Sequence, residues 1–195
     1  MTYEEMEAEL RDRLPEHRFL HSLGVAQTAI DLATRFGVDR KKAQIAGLLH
    51  DCAREFATER LPEEATKRGI PIGAPEAHLP LLLHAYVGAH RIEEVYDVHD
   101  PEIASAIWKH SVGAEVMSPL DKIIYFADMI EPGRDYPEVG WLRRLAREAS
   151  LDVMTLAGMS SSLSFVLSQG GILHPLTVLA RNALLYQGVE IPLRG

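Results

Sequence analysis

The stretch that decides the fold is residues 43–56, AQIAGLLHDCAREF. Apolar residues such as Ile45, Leu48 and Cys52 follow the spacing of a helix face that packs on a core. His50 and Asp51 interrupt that face, although a polar side chain without a partner is costly to bury. The stretch therefore predicts a buried helix and also marks a place where chemistry could occur.

Helical patterns continue on both sides of this stretch. Asp39, Asp100 and Ser118 each stand where an N-cap is expected, and prolines follow the last two. No segment shows the sustained alternation of apolar and polar residues that is typical of strands. We therefore predict an all-α fold, a single compact helical domain.

Two further long apolar stretches are predicted to be helical. Residues 76–96, EAHLPLLLHAYVGAHRIEEVY, are predicted to form roughly one helix. Residues 138–170 are predicted to form either one long helix or two helices joined near Gly158.

The composition limits the class of function. Of 195 residues, 47% are hydrophobic and 25% are charged, as in an ordinary globular domain, and the formal net charge is -8. An acidic chain without a dense Lys/Arg run is a poor ligand for nucleic acid polymers, whereas a small anionic ligand remains open. The single cysteine excludes an internal disulfide. The acidic start and the lack of an uninterrupted apolar run predict a cytoplasmic protein with no membrane segment, and a homodimer is a possible assembly.

Four of the nine histidines lie within or beside apolar helical stripes: His21, His50, His84 and His110. Any one of them alone would be read as a hydrogen-bonded core histidine. Four such histidines, together with two carboxylates in similar settings, favour a common site.

The two carboxylates are Asp51 and Asp128, and each also has an ordinary explanation. Asp51 could form an ion pair with Arg54 on the next turn. Asp128, within the apolar segment around IIYFADMI, could pair with a buried cation or point into solvent. A metal site explains both carboxylates and the histidines with one assumption, because imidazole nitrogen and carboxylate oxygen bind Fe, Mn, Co, Ni and Zn.

The spacing of these residues resembles a known family. His21, the doublet His50-Asp51 and Asp128 follow the H…HD…D order of HD-domain metal-dependent phosphohydrolases. The segments HRFLHSLGVA, AGLLHDCAR, IWKHSVG and LDKIIYFADMIEPGRDYP are similar to the YqeK-type branch, the symmetrical dinucleoside-tetraphosphate hydrolases. The resemblance covers about residues 15–186 and so predicts one domain over residues 1–195.

The resemblance implies an all-helical fold, a divalent metal that is often iron, and cleavage of diadenosine tetraphosphate into two ADP molecules. It assigns the metal to His21, His50, Asp51 and Asp128. His84 and His110 could bind a second metal, contact phosphate or protonate the leaving group, so the number of ions is one or two. The candidate catalytic residues are accordingly Asp51, His84 and His110.

Cations and an aromatic residue near these positions are candidates for substrate binding, as are His84 and His110. Arg18 lies one helical turn before His21, and Arg134 follows the helix that carries Asp128. Lys109, Lys122 and Tyr136 complete the set, the last as a ring that could stack on a base.

Three alternatives stay open on the sequence. The protein could hydrolyse other nucleotides, such as nucleoside mono- or triphosphates or cyclic dinucleotides, at the same metal. It could bind nucleotides as a non-catalytic regulator, or it could be a metal-free helical scaffold.

Overall fold

The computed structural model describes residues 1–192, which contain eleven α-helices and no strand. The predicted all-α fold is therefore confirmed. Three short 3₁₀ helices, Cys52–Glu55, Thr58–Arg60 and Pro80–Leu82, connect the α-helices. The helices are α1 (Tyr3–Arg13), α2 (Glu16–Phe36), α3 (Arg40–Leu49), α4 (Leu61–Lys67), α5 (Ala74–His78), α6 (Leu83–Tyr96), α7 (Pro101–Lys109), α8 (Pro119–Ile130), α9 (Val139–Glu148), α10 (Leu151–Ser168) and α11 (Pro175–Tyr186).

The predicted caps begin the helices as expected. The side chain of Asp39 accepts hydrogen bonds from the amides of Lys41 and Lys42, and Asp100 accepts one from the amide of Glu102. Ser118 forms a capping box at the start of α8. These side chains satisfy amides that have no partner within the helix, which is why the helix starts could be read from sequence.

The single helix predicted over residues 76–96 is wrong. α5 ends at His78, a 3₁₀ helix follows from Pro80, and α6 begins at Leu83. Pro80 disfavours the helical conformation of the residue before it, and Leu79 accordingly has φ -129° and ψ 74°. The break places His84 in the first turn of α6.

The helix over residues 138–170 divides at a different place from the one predicted. α9 ends at Glu148, and the side chain of Ser150 caps α10 by accepting a bond from the amide of Val153. Gly158 lies inside α10, where a Cβ atom would approach Met129 Sδ at 3.0 Å. Gly158 therefore allows close packing between α10 and α8 and does not join two helices.

The central layer consists of α2, α3, α6, α7 and α8. α3 packs on α2, α7 and α8, and α6 packs on α7. The α2–α3 crossing is close, because a Cβ atom at Gly47 would lie 2.7 Å from Ala26 Cα. This crossing brings the end of α3 towards the first turns of α2.

α10 and α11 cover one side of this layer. By length and composition alone, α10 could cross a membrane. It packs on α8, α9 and α11, however, and buries Met154, Leu156, Ala157 and Met159. The first part of α10 therefore packs in the core, whereas Phe165 and Leu167 near its end are exposed.

Candidate metal centre

Each of the five central helices supplies a side chain to one place. The residues are His21 on α2, His50 directly after α3, His84 on α6, His110 directly after α7 and Asp128 on α8. α3 ends between the two members of the doublet: His50 is still helical, whereas Asp51 has φ -102° and ψ 14°. The change in backbone direction aims the two neighbouring side chains at the same centre from different sides.

The predicted metal ligands converge. His21 Nε2 lies 3.2 Å from His50 Nε2 and 3.0 Å from Asp128 Oδ1. Asp51 Oδ2 lies 4.0 Å from His21 Nε2 and 3.9 Å from His50 Nε2. The side chain of Asp128 is 22% exposed, so this group of ligands is open to solvent on one side.

A second group adjoins the first and shares Asp51 with it. Asp51 Oδ1 lies 3.1 Å from His84 Nε2 and 3.9 Å from His110 Nε2, and these two nitrogens are 3.0 Å apart. The rings of His50 and His110 are 5.0 Å apart, edge to face. Asp51 therefore directs one carboxylate oxygen to each pair of histidines.

All four imidazoles are held by their Nδ1 atoms. His50, His84 and His110 donate to the carbonyls of Gly47, Leu81 and Ile107, each three residues earlier, and His21 Nδ1 lies 3.1 Å from Glu131 Oε1. A proton on Nδ1 leaves Nε2 as a lone pair in the neutral ring. Two lone pairs at 3.0–3.2 Å repel each other unless a cation or a shared proton lies between them. The donor set and its orientation therefore fit divalent metal ions.

The electrostatics of His50 and His110 agree with this fit, whereas at His21 burial lowers the pKa but Asp128 and Glu131 outweigh it and raise that pKa. Burial lowers the pKa of His50. Burial, with the nearby His50 and His84, lowers the pKa of His110 to about 3. These two rings are neutral at neutral pH, which is the protonation state that binds metal.

The carboxylates are charged. Burial raises the pKa of Asp51, but His50 and His84 outweigh it and hold the pKa well below its usual value. Burial also raises the pKa of Asp128, but His21, His50 and Arg134 outweigh it and hold that pKa below its usual value. Both carboxylates are therefore ionised at neutral pH, which is the state that binds metal.

The two arginines predicted to bind substrate lie at the rim. Arg18 Nη1 donates a hydrogen bond to Asp51 Oδ2 at 3.2 Å. Arg18 therefore forms the ion pair with Asp51 that the sequence had suggested for Arg54. The Arg134 guanidinium contacts Asp128 Oδ1, and Arg134 Nε donates to the Asp128 carbonyl at 2.7 Å. Asp128 thus has a cation partner as well as a place in the metal centre.

The other predicted substrate ligands lie farther from the centre. Lys109 Nζ donates to Asp121 at 2.7 Å, and Lys122 Nζ donates to Asp152 at 2.5 Å. The hydroxyl of Tyr136 donates a hydrogen bond to the Met129 carbonyl at 2.8 Å. Both lysines are thus held in ion pairs, whereas the ring of Tyr136 lines a cavity beside Arg134.

Sequence reasoning overlooked two contacts of the site. Glu131 is buried beside His21 and accepts the amide of Gly133 at 2.6 Å. It follows Asp128 by three residues, the spacing that places two side chains on one helix face, so it could have been found. Ser111 Oγ lies 3.1 Å from His110 Nε2 and 3.4 Å from His84 Nε2, and nothing in the sequence distinguished that serine.

Known proteins are similar to this chain in sequence and in fold. The HD domain family matches residues 18–133. The chain is 37% identical to the symmetrical bis(5'-nucleosyl)-tetraphosphatase of Bacillus subtilis, over 95% of this chain and 98% of that protein. It is 34% identical to the protein of the same name from Halalkalibacterium halodurans, over 91% and 94%. A predicted HD superfamily hydrolase involved in NAD metabolism from Clostridium acetobutylicum has a similar crystal structure, with a TM-score of 0.91, 38% identity, and coverage of 96% and 98%. The chain belongs to the HD-domain family.

Proposed function

We propose that this protein is a metal-dependent phosphoanhydride hydrolase that cleaves dinucleoside tetraphosphates symmetrically, giving two ADP from diadenosine tetraphosphate. The observation that carries the proposal is the position of Asp51 between two histidine pairs, one facing each carboxylate oxygen. The names of the relatives from Bacillus subtilis and Halalkalibacterium halodurans support this choice of substrate.

We assign two divalent ions to the centre. His21, His50, Asp51 and Asp128 would hold the first, and Asp51, His84 and His110 would hold the second. Iron is our choice of native metal, although Mn, Co, Ni and Zn accept the same ligands. Bound there, such ions lower the pKa of a water molecule and neutralise charge on phosphate oxygens.

The chain's own residues position the reaction. In the hydrolysis, a water oxygen bonds to one of the two inner phosphorus atoms, the central P–O–P bridge breaks, and each product keeps a diphosphate. Arg18 and Arg134 lie beside Asp51 and Asp128, where a guanidinium can bind phosphate oxygens. His84 and His110 direct Nε2 lone pairs inward, which favours metal binding over donation of a proton to the leaving group.

A substrate panel tests the proposal. Chelator-treated protein is reloaded with one metal at a time and given diadenosine tetraphosphate, dGTP or 5'-nucleotides, and the products are separated by chromatography. We expect two ADP from the tetraphosphate. ATP with AMP would contradict symmetrical cleavage, and faster hydrolysis of the mononucleotides would contradict the substrate. If no metal supports turnover, the result would contradict the hydrolase and favour the alternative of a non-catalytic nucleotide-binding regulator.

We place the protein in the cytoplasm, without a nucleic acid polymer or a membrane as partner. The net charge of -8 supports this placement, because the binding of polymers and of anionic lipid surfaces needs clustered cations. A homodimer is our proposed assembly, and light scattering of the purified protein tests it.

A further inference from the structure

A separate cavity lies next to the metal centre, between the end of α8, the loop after it and α10. Its volume is about 360 Å³, which lies in the ~300–1,000 Å³ range of small-molecule sites. Its lining combines apolar and aromatic side chains with two hydroxyls, the guanidinium of Arg134 and the carboxylate of Glu138. The residues that carry the argument are Met129, Tyr136, Pro137, Ser161, Ser162 and Phe165.

Arg134 connects this cavity to the metal centre. Its side chain lines the cavity, and it also lines a neighbouring opening of about 530 Å³ that contains His21. The same guanidinium contacts Asp128. Arg134 therefore borders both the metal centre and the cavity.

The lining of the cavity offers groups that suit one half of a dinucleotide. Arg134, which contacts Asp128 of the metal centre, is one of the lining residues, and the aromatic rings of Tyr136 and Phe165 are two others. Phe165 is 66% exposed, and it lies one helical turn after Ser161 on the same face of α10. Two hydroxyls also line the cavity: that of Ser162 is hydrogen-bonded to Tyr125, and that of Ser161 can donate and accept hydrogen bonds.

We propose that this cavity binds one nucleobase of the substrate, with Phe165 and Tyr136 as the rings on which the base stacks. The inference rests on the proposed function, because it takes the phosphates to lie between Arg134 and the metal centre. Stacking suits this lining, because every base has a π-face and can stack on an aromatic ring without base-specific hydrogen bonds. Phe165 then sets the affinity for substrates that carry a base.

The test compares two ligands that differ only in the base, ADP and ribose 5-diphosphate, by calorimetry on the metal-loaded protein. Phe165→Ala removes the ring, Phe165→Trp keeps an aromatic ring, and Leu167→Ala is the matched control. Leu167 is 61% exposed on the same helix and does not line the cavity. Because Phe165 and Leu167 are both exposed, neither truncation should unfold the protein.

We expect wild-type protein, Phe165→Trp and Leu167→Ala to bind ADP about tenfold more tightly than ribose 5-diphosphate, an advantage of about 1.4 kcal/mol. Phe165→Ala should lose that preference and raise KM for diadenosine tetraphosphate about tenfold with kcat nearly unchanged. Retention of the preference in Phe165→Ala, or its absence in wild type, would overturn the nucleobase site. Absence of turnover in wild type, with the ADP preference still dependent on Phe165, would instead overturn the proposed function and leave the site in place.

Discussion

The two halves of the metal centre share Asp51 but differ in charge. In the first half, His21 and His50 face both Asp51 and Asp128. In the second half, Asp51 lies 3.1 Å from His84 Nε2 and 3.9 Å from His110 Nε2, and Asp128 approaches only His110, within 4.8 Å, among the residues that the structure describes. More negative charge binds a cation more tightly, so the first half should retain its ion better than the second.

The halves also differ in what holds their histidines. His84 and His110 are fixed by the carbonyls of Leu81 and Ile107. In the first half, His50 is also fixed by a carbonyl, that of Gly47, but His21 is fixed by the carboxylate of Glu131. A carboxylate makes the imidazole a stronger donor to metal than a carbonyl does. The difference suggests one tightly held ion and one that exchanges more readily.

The largest effect is expected from a substitution of Asp51, the residue that both halves of the metal centre share. Asp51→Asn keeps the shape but loses the charge between the two histidine pairs, so both ions should be lost. We expect kcat to fall about 10³-fold, at the upper end of what removal of one group from a preorganised site costs. Metal content and turnover are measured together. Asp31→Asn, an exposed carboxylate on α2, is the control, and full activity in Asp51→Asn would eliminate an enzyme centred here.

Substitutions in one half should separate the two ions. His110→Ala should release the second ion, retain the first and lower kcat about 10²-fold, because the remaining site still holds substrate. Asp128→Asn should instead weaken the tighter ion. Elemental analysis after desalting measures both variants. Loss of both ions from His110→Ala would show that the halves do not bind independently.

A smaller effect is expected from the contact behind His21. Glu131→Gln retains an oxygen that can accept from His21 Nδ1 but removes its charge. We expect the affinity for the first ion to fall about tenfold, the lower end of the range for such supporting contacts. Metal titration followed by absorbance or calorimetry measures it. The second ion serves as an internal control, since equal weakening of both ions would point to a change of fold.

The smallest effects on activity are expected at the two lysines. Lys109→Met and Lys122→Met should change KM less than about twofold, because both amines are held in ion pairs. Lys109→Met should lower the free energy of unfolding by about 1–3 kcal/mol, since Asp121 is fully buried. Lys122→Met should cost less than about 1 kcal/mol, because Asp152 is 43% exposed. A tenfold rise in KM would assign either lysine to the substrate.

Local chemistry was readable from the sequence. Capping by Asp39, Asp100 and Ser118 depends on atoms a few residues apart, so those helix starts were predictable. The same reasoning missed the break at Pro80 because apolar periodicity runs through it, although a proline inside a helix pattern is itself a stop signal. Glu131 was not predicted either, although its spacing of three residues from Asp128 places both side chains on one face of the helix.

The sequence by itself determined an all-α chain and the residue types that converge on a metal, because apolar spacing and costly buried polar groups are local properties. Only the tertiary structure decided that Asp51 serves two histidine pairs and that Arg18 is its cation partner. Those relations depend on how closely helices cross, as where Gly47 lets α3 approach Ala26 on α2. Distances between helices arise from the packing of the whole core, which no single segment encodes.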